Sequence, residues 1–161
     1  MSALETTLSR EVLASVIAAP AEQANAAMAR LQASDFPNWI HRRIFHALDT
    51  VEFANHQEPG SVITQLHAVL LEAGELKDAD NGLRAELNAL LETRGHPEQL
   101  PRFVSRVVDE AYRREVKDYG ERLVTNADNS ALEELDAILK GIDQVRAARM
   151  RIRPVSAVNA A

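Results

Sequence analysis

The chain contains no cysteine, few aromatic residues and no long apolar run, and each scarcity excludes a class of protein. Without cysteine there is no disulfide, no thiolate metal site and no cysteine nucleophile. Aromatic residues make up 4% of the sequence, too few for a platform on which bases stack. No apolar stretch approaches the roughly 20 residues that span a bilayer, and the N-terminus lacks the basic start of a secretory signal. We therefore expect a soluble, cytoplasmic protein that does not enter a membrane.

Positive charge is also in short supply. The formal net charge is −6, whereas a nucleic-acid-binding face must be basic to neutralise phosphates. We therefore expect no direct binding of nucleic acid. One basic cluster stands near the end of the chain, at Arg146, Arg149, Arg151 and Arg153. We interpret it as favourable charge at a helix C-terminus, and the alternative is a short contact with nucleic acid or an acidic protein.

What the sequence does have is helix-forming residues at helical spacing. Hydrophobic residues make up 46% of the 161 residues, enough for a core of its own. They recur at intervals of three and four almost throughout, and we find no convincing run of strict alternation. Alanine and leucine, which favour helices, dominate. The sequence therefore predicts a single all-α domain over about 1–150, followed by a frayed tail over 151–161.

Helix boundaries are indicated by prolines, glycines and capping residues. Pro20 ends a first helix over about 9–18 and opens a second over about 21–32. Asn38 is the predicted N-cap of the third helix and Ser61 that of the fourth. Gly74 ends the fourth helix in the C′ position. With a fifth helix before Gly95, these elements predict a compact head of about five helices over 8–95.

The remaining helices predict a long arm over about 98–150. The sixth helix runs from about Glu98 to Asn126, and a capping box at Ser130 opens a seventh from Leu132 to Val145. The short connection between them predicts an antiparallel hairpin. Such an arm presents more apolar surface than it can bury alone, so we expect it to self-associate. The candidate interface residues, some of which could instead contact the seventh helix, are Phe103, Val107, Tyr112, Val116, Tyr119 and Leu123.

Several strings, in order, resemble the N-terminal domain of DnaB-type replicative helicases. The best match is DFPNWIHRRIFHAL, at 35–48: the family has Asp-Phe, a short turn, then a helix carrying His, Arg, Ile or Val, and Phe or Tyr. The string SVITQLHAVLLEAGEL, at 61–76, resembles the family's helix ending in Gly-Glu-Leu. The turn at 81–83 resembles its Gly-Gly-Leu turn, and 107–114 resembles the start of its long arm helix. The resemblance covers about 8–145.

The chain also departs from the family pattern. Ser9-Arg10 replaces a Glu-Gln pair usual in the first helix, and Ala14-Ser15 replaces a glycine pair. These 161 residues contain no Gly-x-x-x-x-Gly-Lys-Ser/Thr loop to cradle nucleotide phosphates, so we expect no motor domain within them. We therefore expect a chain that is not an enzyme and carries no cofactor.

The resemblance implies a protein-interaction and oligomerisation module of DNA replication. In the family this domain forms the collar of the hexameric ring, dimerises through its helical arm and docks primase. The expected partners are thus a second copy, a DnaB-type helicase and primase. One alternative is a domain like the helicase-binding domain of primase, or a stand-alone mimic that modulates a helicase. An alternative of another class is an unrelated helical regulator or small-ligand binder with a pocket inside the bundle.

The start of the third helix supplies the candidate partner-docking residues. They are Phe36, Trp39, His41 and Arg42. Trp39, the only tryptophan, is either an aromatic anchor for a partner or, as we favour for a large aromatic, a core residue at a helix–turn junction.

No metal site is expected from the histidines. His41 and His46 are five residues apart and do not share a helix face. Glu52 and His56 have the spacing of metal ligands, but they fall where the helical pattern is already failing.

Overall fold

The structure, a computed structural model, describes residues 3–53, 60–77, 82–128 and 130–152. Regular structure in these ranges is helical, without a strand, so the all-α prediction is confirmed. Two 3-10 turns, Ala33–Asp35 and Pro97–Gln99, separate some of the helices. The helices are α1 Ala3–Ala18, α2 Ala21–Met28, α3 Trp39–Asp49, α4 Ser61–Glu72, α5 Leu83–Glu92, α6 Leu100–Ala127, α7 Leu132–Lys140 and α8 Ile142–Met150.

The chain divides into two compact units, and the division falls inside α6. Unit 1 is Met1–Val107 and unit 2 is Val108–Ala161. Of the 29 buried hydrophobic residues in the described part of the chain, 26 belong to unit 1. The centre of that core includes Val12, Leu13 and Val16 of α1, all fully buried, at the spacing that places residues on one helix face.

Two predicted helix boundaries are confirmed by their hydrogen bonds. The Asn38 side chain accepts from the backbone N–H of Ile40 at 2.9 Å and caps α3. Gly74 has a φ of +73°, and the N–H of the following residue donates to the Leu70 carbonyl at 3.0 Å. This is the Schellman arrangement, which needs a left-handed residue and therefore favours glycine. Pro101 is the second residue of α6, where no intrahelical donor is lost.

Two predicted capping residues are wrong. Gly60, with a φ of +87°, precedes α4, and Ser61 is the first helical residue, its hydroxyl accepting from the Gln65 side chain at 3.1 Å. At α7 the N-cap is Ala131 without a side-chain cap. The Ser130 hydroxyl donates instead to Asn126 Oδ1 at 3.2 Å. In both cases the serine hydroxyl forms a hydrogen bond with a nearby side chain and not with the backbone N–H groups at the start of the helix.

The predicted seventh helix is two helices, because the chain breaks at Gly141 between α7 and α8. A Cβ at Gly141 would lie 3.3 Å from the Tyr119 ring, and the Tyr119 hydroxyl donates to the Leu139 carbonyl at 3.2 Å. Tyr119 stands eight residues before the end of α6, and Leu139 seven residues after the start of α7. Within unit 2, α7 therefore folds back toward α6.

The first two helices also differ in length from the prediction. α1 begins at Ala3, six residues before the predicted start. α2 ends at Met28, four residues before the predicted end, and the N–H groups of Arg30 and Leu31 both donate to the Ala27 carbonyl. That shared acceptor marks a tightened final turn.

None of the described helices is both long enough and apolar enough to cross a membrane.

Candidate functional site

Unit 2 exposes apolar side chains that it does not cover itself. It contains three of the 29 buried hydrophobic residues of the described chain, namely Val108, Tyr119 and Val145. It also carries five of the eight large hydrophobic side chains that are exposed there. Those five are Val116, Val124, Leu132, Leu139 and Met150. We call these five side chains the unit 2 apolar surface.

The six predicted self-association residues fall into three groups. Phe103 and Val107 belong to unit 1 and are buried there, so they offer a second copy no accessible surface. Tyr119 is 8% exposed and contacts the α7–α8 junction. Tyr112 and Leu123 are partly exposed, and Val116 is 42% exposed. Of the predicted interface, the accessible part is therefore Tyr112, Val116 and Leu123.

The basic residues near the end of the chain lie mostly on α8. Arg149 is in its last turn and Arg151 follows it directly. Arg146 forms an exposed pair with Asp143 at 3.3 Å. Arg153 lies outside the described residues. This is the placement that the helix C-terminus interpretation requires.

The four predicted docking residues do not form one surface. Phe36 and His41 are fully buried. Arg42 lies at the surface, but its guanidinium donates to the backbone carbonyls of Phe36 and Pro37, each at 2.8 Å, and so braces the turn before α3. Trp39 is 50% exposed, so the core interpretation favoured for it is wrong. Only Trp39 presents an aromatic face to solvent.

His41 belongs instead to a buried polar cluster that joins α1, α3 and α5. The Glu86 carboxylate accepts two hydrogen bonds from Arg10, at 2.7 and 2.8 Å. His41 Nε2 lies 2.8 Å from Glu86 Oε1. Burial raises the pKa of Glu86, but the hydrogen bonds from Arg10 and His41 outweigh it and hold that pKa below its ordinary value. Glu86 is thus ionised at neutral pH, and Nε2 of His41 carries the donated proton.

The chemistry available to this cluster is limited by burial. A histidine beside a carboxylate is the usual form of a general base. Here the His41 side chain is 0% exposed and that of Glu86 is 12% exposed. His41 Nδ1 is buried and has no hydrogen-bond partner among the described residues. Because no surface of His41 meets solvent, we assign the cluster to holding three helices together.

Sequence reasoning missed this cluster because its members are far apart in the chain. Arg10 and Glu86 are separated by 76 positions. Arg10 stood out only as a departure from the family pattern, and His41 was considered as a docking residue and as a metal ligand, not as a partner of a carboxylate. Neither Arg10 nor Glu86 has a local motif. Their pairing depends on the packing of α1 against α5, which periodicity does not specify.

A groove between α4 and α5 is a concave feature of unit 1. Its volume is ≈ 280 Å³. Leu71 and Leu91, which are 52% and 61% exposed, lie along it. Polar side chains also line it, including His67 and Arg84. The Arg84 guanidinium donates to the Leu76 carbonyl and is thereby held at the groove.

Within the described ranges, no group of three or more His, Asp or Glu side chains converges as metal ligands do. Of the pair at ligand spacing, Glu52 is described, whereas His56 lies outside the described residues.

No protein-family model matches the chain, and no curated protein or solved structure matches it either.

Proposed function

We propose that this chain is a non-catalytic interaction module that self-associates through unit 2 and serves DNA replication. In this proposal the helices of unit 1 form a head, and α6 with α7 and α8 forms an arm. The module acts through binding energy and geometry, as the collar domain of DnaB-type helicases does. Its expected partners are a second copy, a DnaB-type helicase and primase.

The observation that carries the proposal is the unit 2 apolar surface. Five large apolar side chains stand exposed on the helices of this one unit, and exposed apolar surface that gathers in one region commonly marks an interaction site. Val124 is 78% exposed and Leu132 is 77% exposed, so the folded chain leaves about three quarters of each residue's surface in contact with water. Burying such side chains against a partner contributes about 1.5–3 kcal/mol each. Several of them together would offset much of the entropic cost of association.

The residue spacing along α6 supports the same interface. Tyr112, Val116, Tyr119 and Leu123 are separated by four, three and four residues. That interval is the one at which helices pack side by side in coiled coils and bundles. Tyr119 contacts Leu139 and Gly141 of the same chain and is therefore not available to a second helix. Val116 and Tyr112 keep accessible surface at the same spacing, and a second helix can pack there.

The replication role rests on the resemblance of the strings at 35–48 and 61–76. Within the first string, Phe36, His41, Ile44 and Phe45 are all buried. Phe36 and Phe45 form a ring contact with centroids 5.3 Å apart. Because these residues are buried, the string reflects packing inside the head. The residues that contact a partner should therefore lie elsewhere, on the exposed surface of the chain.

Light scattering tests this proposal most simply. The chain alone should have the mass of a dimer or a larger oligomer, because the unit 2 apolar surface needs a partner. Mixed with a DnaB-type helicase or with its primase, it should form a complex with a higher mass than either component. A chain that stays monomeric and shifts neither protein would contradict the proposed function. If the chain self-associates but forms no complex with helicase or primase, the proposed self-association stands and the proposed role in replication is contradicted.

A further inference from the structure

The groove between α4 and α5 is formed by two helical stripes. On α4 its residues recur at an interval of four, and on α5 at intervals of three and four. Such intervals keep side chains on one face of each helix. The residues that line the groove include Ile63, His67 and Leu71 on α4, and Arg84, Leu87 and Leu91 on α5.

The groove combines apolar walls with donors and positive charge. Leu71 and Leu91 are more than half exposed. Arg84 is held at the groove by its hydrogen bond to the Leu76 carbonyl, and His67 lies on the facing helix. None of the residues lining the groove carries a carboxylate, although the chain as a whole is acidic. The groove therefore suits an apolar segment that brings negative charge.

α7 has the complementary character. Leu132, Leu135 and Leu139 follow the i, i+3, i+7 pattern by which an amphipathic helix fills a groove. The outer two are 77% and 52% exposed. The helix also carries Glu133, Glu134 and Asp136 against a single cation, Lys140.

We propose that α7 of one copy docks in the α4–α5 groove of a second copy. Leucines of α7 then cover Leu71 and Leu91, and Asp136 lies near Arg84. Because every copy has one α7 and one groove, the contact is reciprocal in a twofold dimer. The inference rests on the proposed self-association and names the surface that receives α7.

The open shape of the groove favours an opposing helix over a small molecule. Ligand pockets usually bury most of the ligand. The α4–α5 groove has a volume of ≈ 280 Å³ and is open along Leu71 and Leu91. A helix that lies across it can place a few side chains there while the rest of the helix stays outside.

A charge exchange in the full chain tests the docking. Sedimentation equilibrium should show that Arg84→Glu and Asp136→Arg each weaken the dimer roughly tenfold, and that the chain with both changes regains most of the affinity. Since Arg84→Glu also removes the bond to Leu76, the helicity of each variant is checked by circular dichroism. Leu91→Glu provides a second, exposed groove variant, which should weaken the dimer roughly tenfold. Ala85→Glu, an exposed change on α5 that lies outside the groove lining, is the matched control and should leave the dimer intact.

The outcomes separate this inference from the proposed function. A dimer that is unchanged by Leu91→Glu, yet is dissociated by Val124→Glu on α6, would overturn the docking of α7 and leave self-association through unit 2 in place. Loss of affinity in Arg84→Glu that Asp136→Arg does not restore would also overturn the proposed contact. A wild-type chain that is monomeric would overturn both.

Discussion

The two units of the chain differ in how far they bury their own apolar residues. Among the described residues, unit 1 has 26 buried hydrophobic residues and three exposed large hydrophobic side chains. Unit 2 has three buried hydrophobic residues and five exposed large hydrophobic side chains. Both units are helical and rich in leucine, valine and alanine, so composition alone does not separate them. The difference is that several helices surround a shared core in unit 1. The described helices of unit 2 bury few apolar side chains and form no core of that size.

The polar contacts of the two units differ in the same way. In unit 1 the cluster of Arg10, Glu86 and His41 joins three helices, and its carboxylate is mostly buried. Several ion pairs among the described residues of unit 2 join neighbours on a single helix, and exposed pairs of that kind contribute little. They include Asp109–Arg113, Lys117–Glu121 and Asp143–Arg146.

The largest expected effect is the loss of the carboxylate in unit 1. Glu86→Ala leaves Arg10 and the fully buried His41 without their acceptor, and should lower the free energy of unfolding by about 3 kcal/mol. Chemical denaturation at neutral pH measures it. Glu92→Ala, an exposed change on the same helix, is the matched control and should change stability by less than about 0.5 kcal/mol. Equal effects of the two substitutions would contradict the role given to the cluster.

A glycine pair gives the sharpest contrast between the units. A Cβ at Gly95 would lie 2.5 Å from the Ala14 carbonyl oxygen and 2.7 Å from the Ala18 Cβ. Gly95→Ala should therefore destabilise the chain by about 1–3 kcal/mol. A Cβ at Gly120, within α6, meets nothing within 4 Å, so Gly120→Ala should stabilise the chain by up to about 1 kcal/mol. Thermal unfolding of the two variants should show shifts of opposite sign, and shifts of the same sign would break the comparison.

Within unit 2, the bond between α6 and α7 should make a smaller contribution. Tyr119→Phe keeps the ring against Gly141 and removes only the hydroxyl that donates to the Leu139 carbonyl. We expect a loss of about 1 kcal/mol. Amide hydrogen exchange in α7 should become faster, while exchange in α1 should stay the same, because the two helices belong to different units. Faster exchange throughout the chain would contradict this separation.

The pH dependence of stability should be the mildest effect near neutrality. The folded-state pKa of Glu86 lies below the ordinary value of 4.5. Its contribution to stability is therefore complete above the unfolded pKa and is lost as the pH falls through the folded value. The difference in unfolding free energy between wild type and Glu86→Ala should stay constant from about pH 7 to about pH 5.5, and shrink below about pH 4.5. Denaturation series at several pH values measure it, and a constant difference down to pH 3 would contradict the assignment.

Sequence patterns predicted a helix boundary correctly where the residues that set the boundary are close together in the chain. Asn38 and Gly74 act through hydrogen bonds to residues within four positions, so the ends of α3 and α4 could be predicted. The all-α class followed from spacing. Ser61 and Ser130 were predicted wrongly, although they fit a local rule, because each hydroxyl had a competing partner nearby.

Features that depend on distant packing could not be predicted from the sequence. The break at Gly141 coincides with the close approach of Tyr119, 22 residues earlier, and the predicted single helix therefore ran through it. The burial of His41 and the exposure of Trp39 depend on how α3 packs within unit 1. Phe103 and Val107 were predicted as part of the α6 interface, yet they fall in unit 1, because the division between the units lies within one helix.

The central claim, that unit 2 self-associates through its own apolar surface, is tested most directly by sedimentation equilibrium of wild type and Val124→Glu. Val124 is 78% exposed, so the substitution should leave the fold and helicity of the single chain unchanged. The adjacent exposed position supplies the control, Thr125→Glu. We predict an oligomeric wild type and control, and a Val124→Glu variant with the mass of one chain. A folded Val124→Glu variant with the same mass as wild type would contradict the claim.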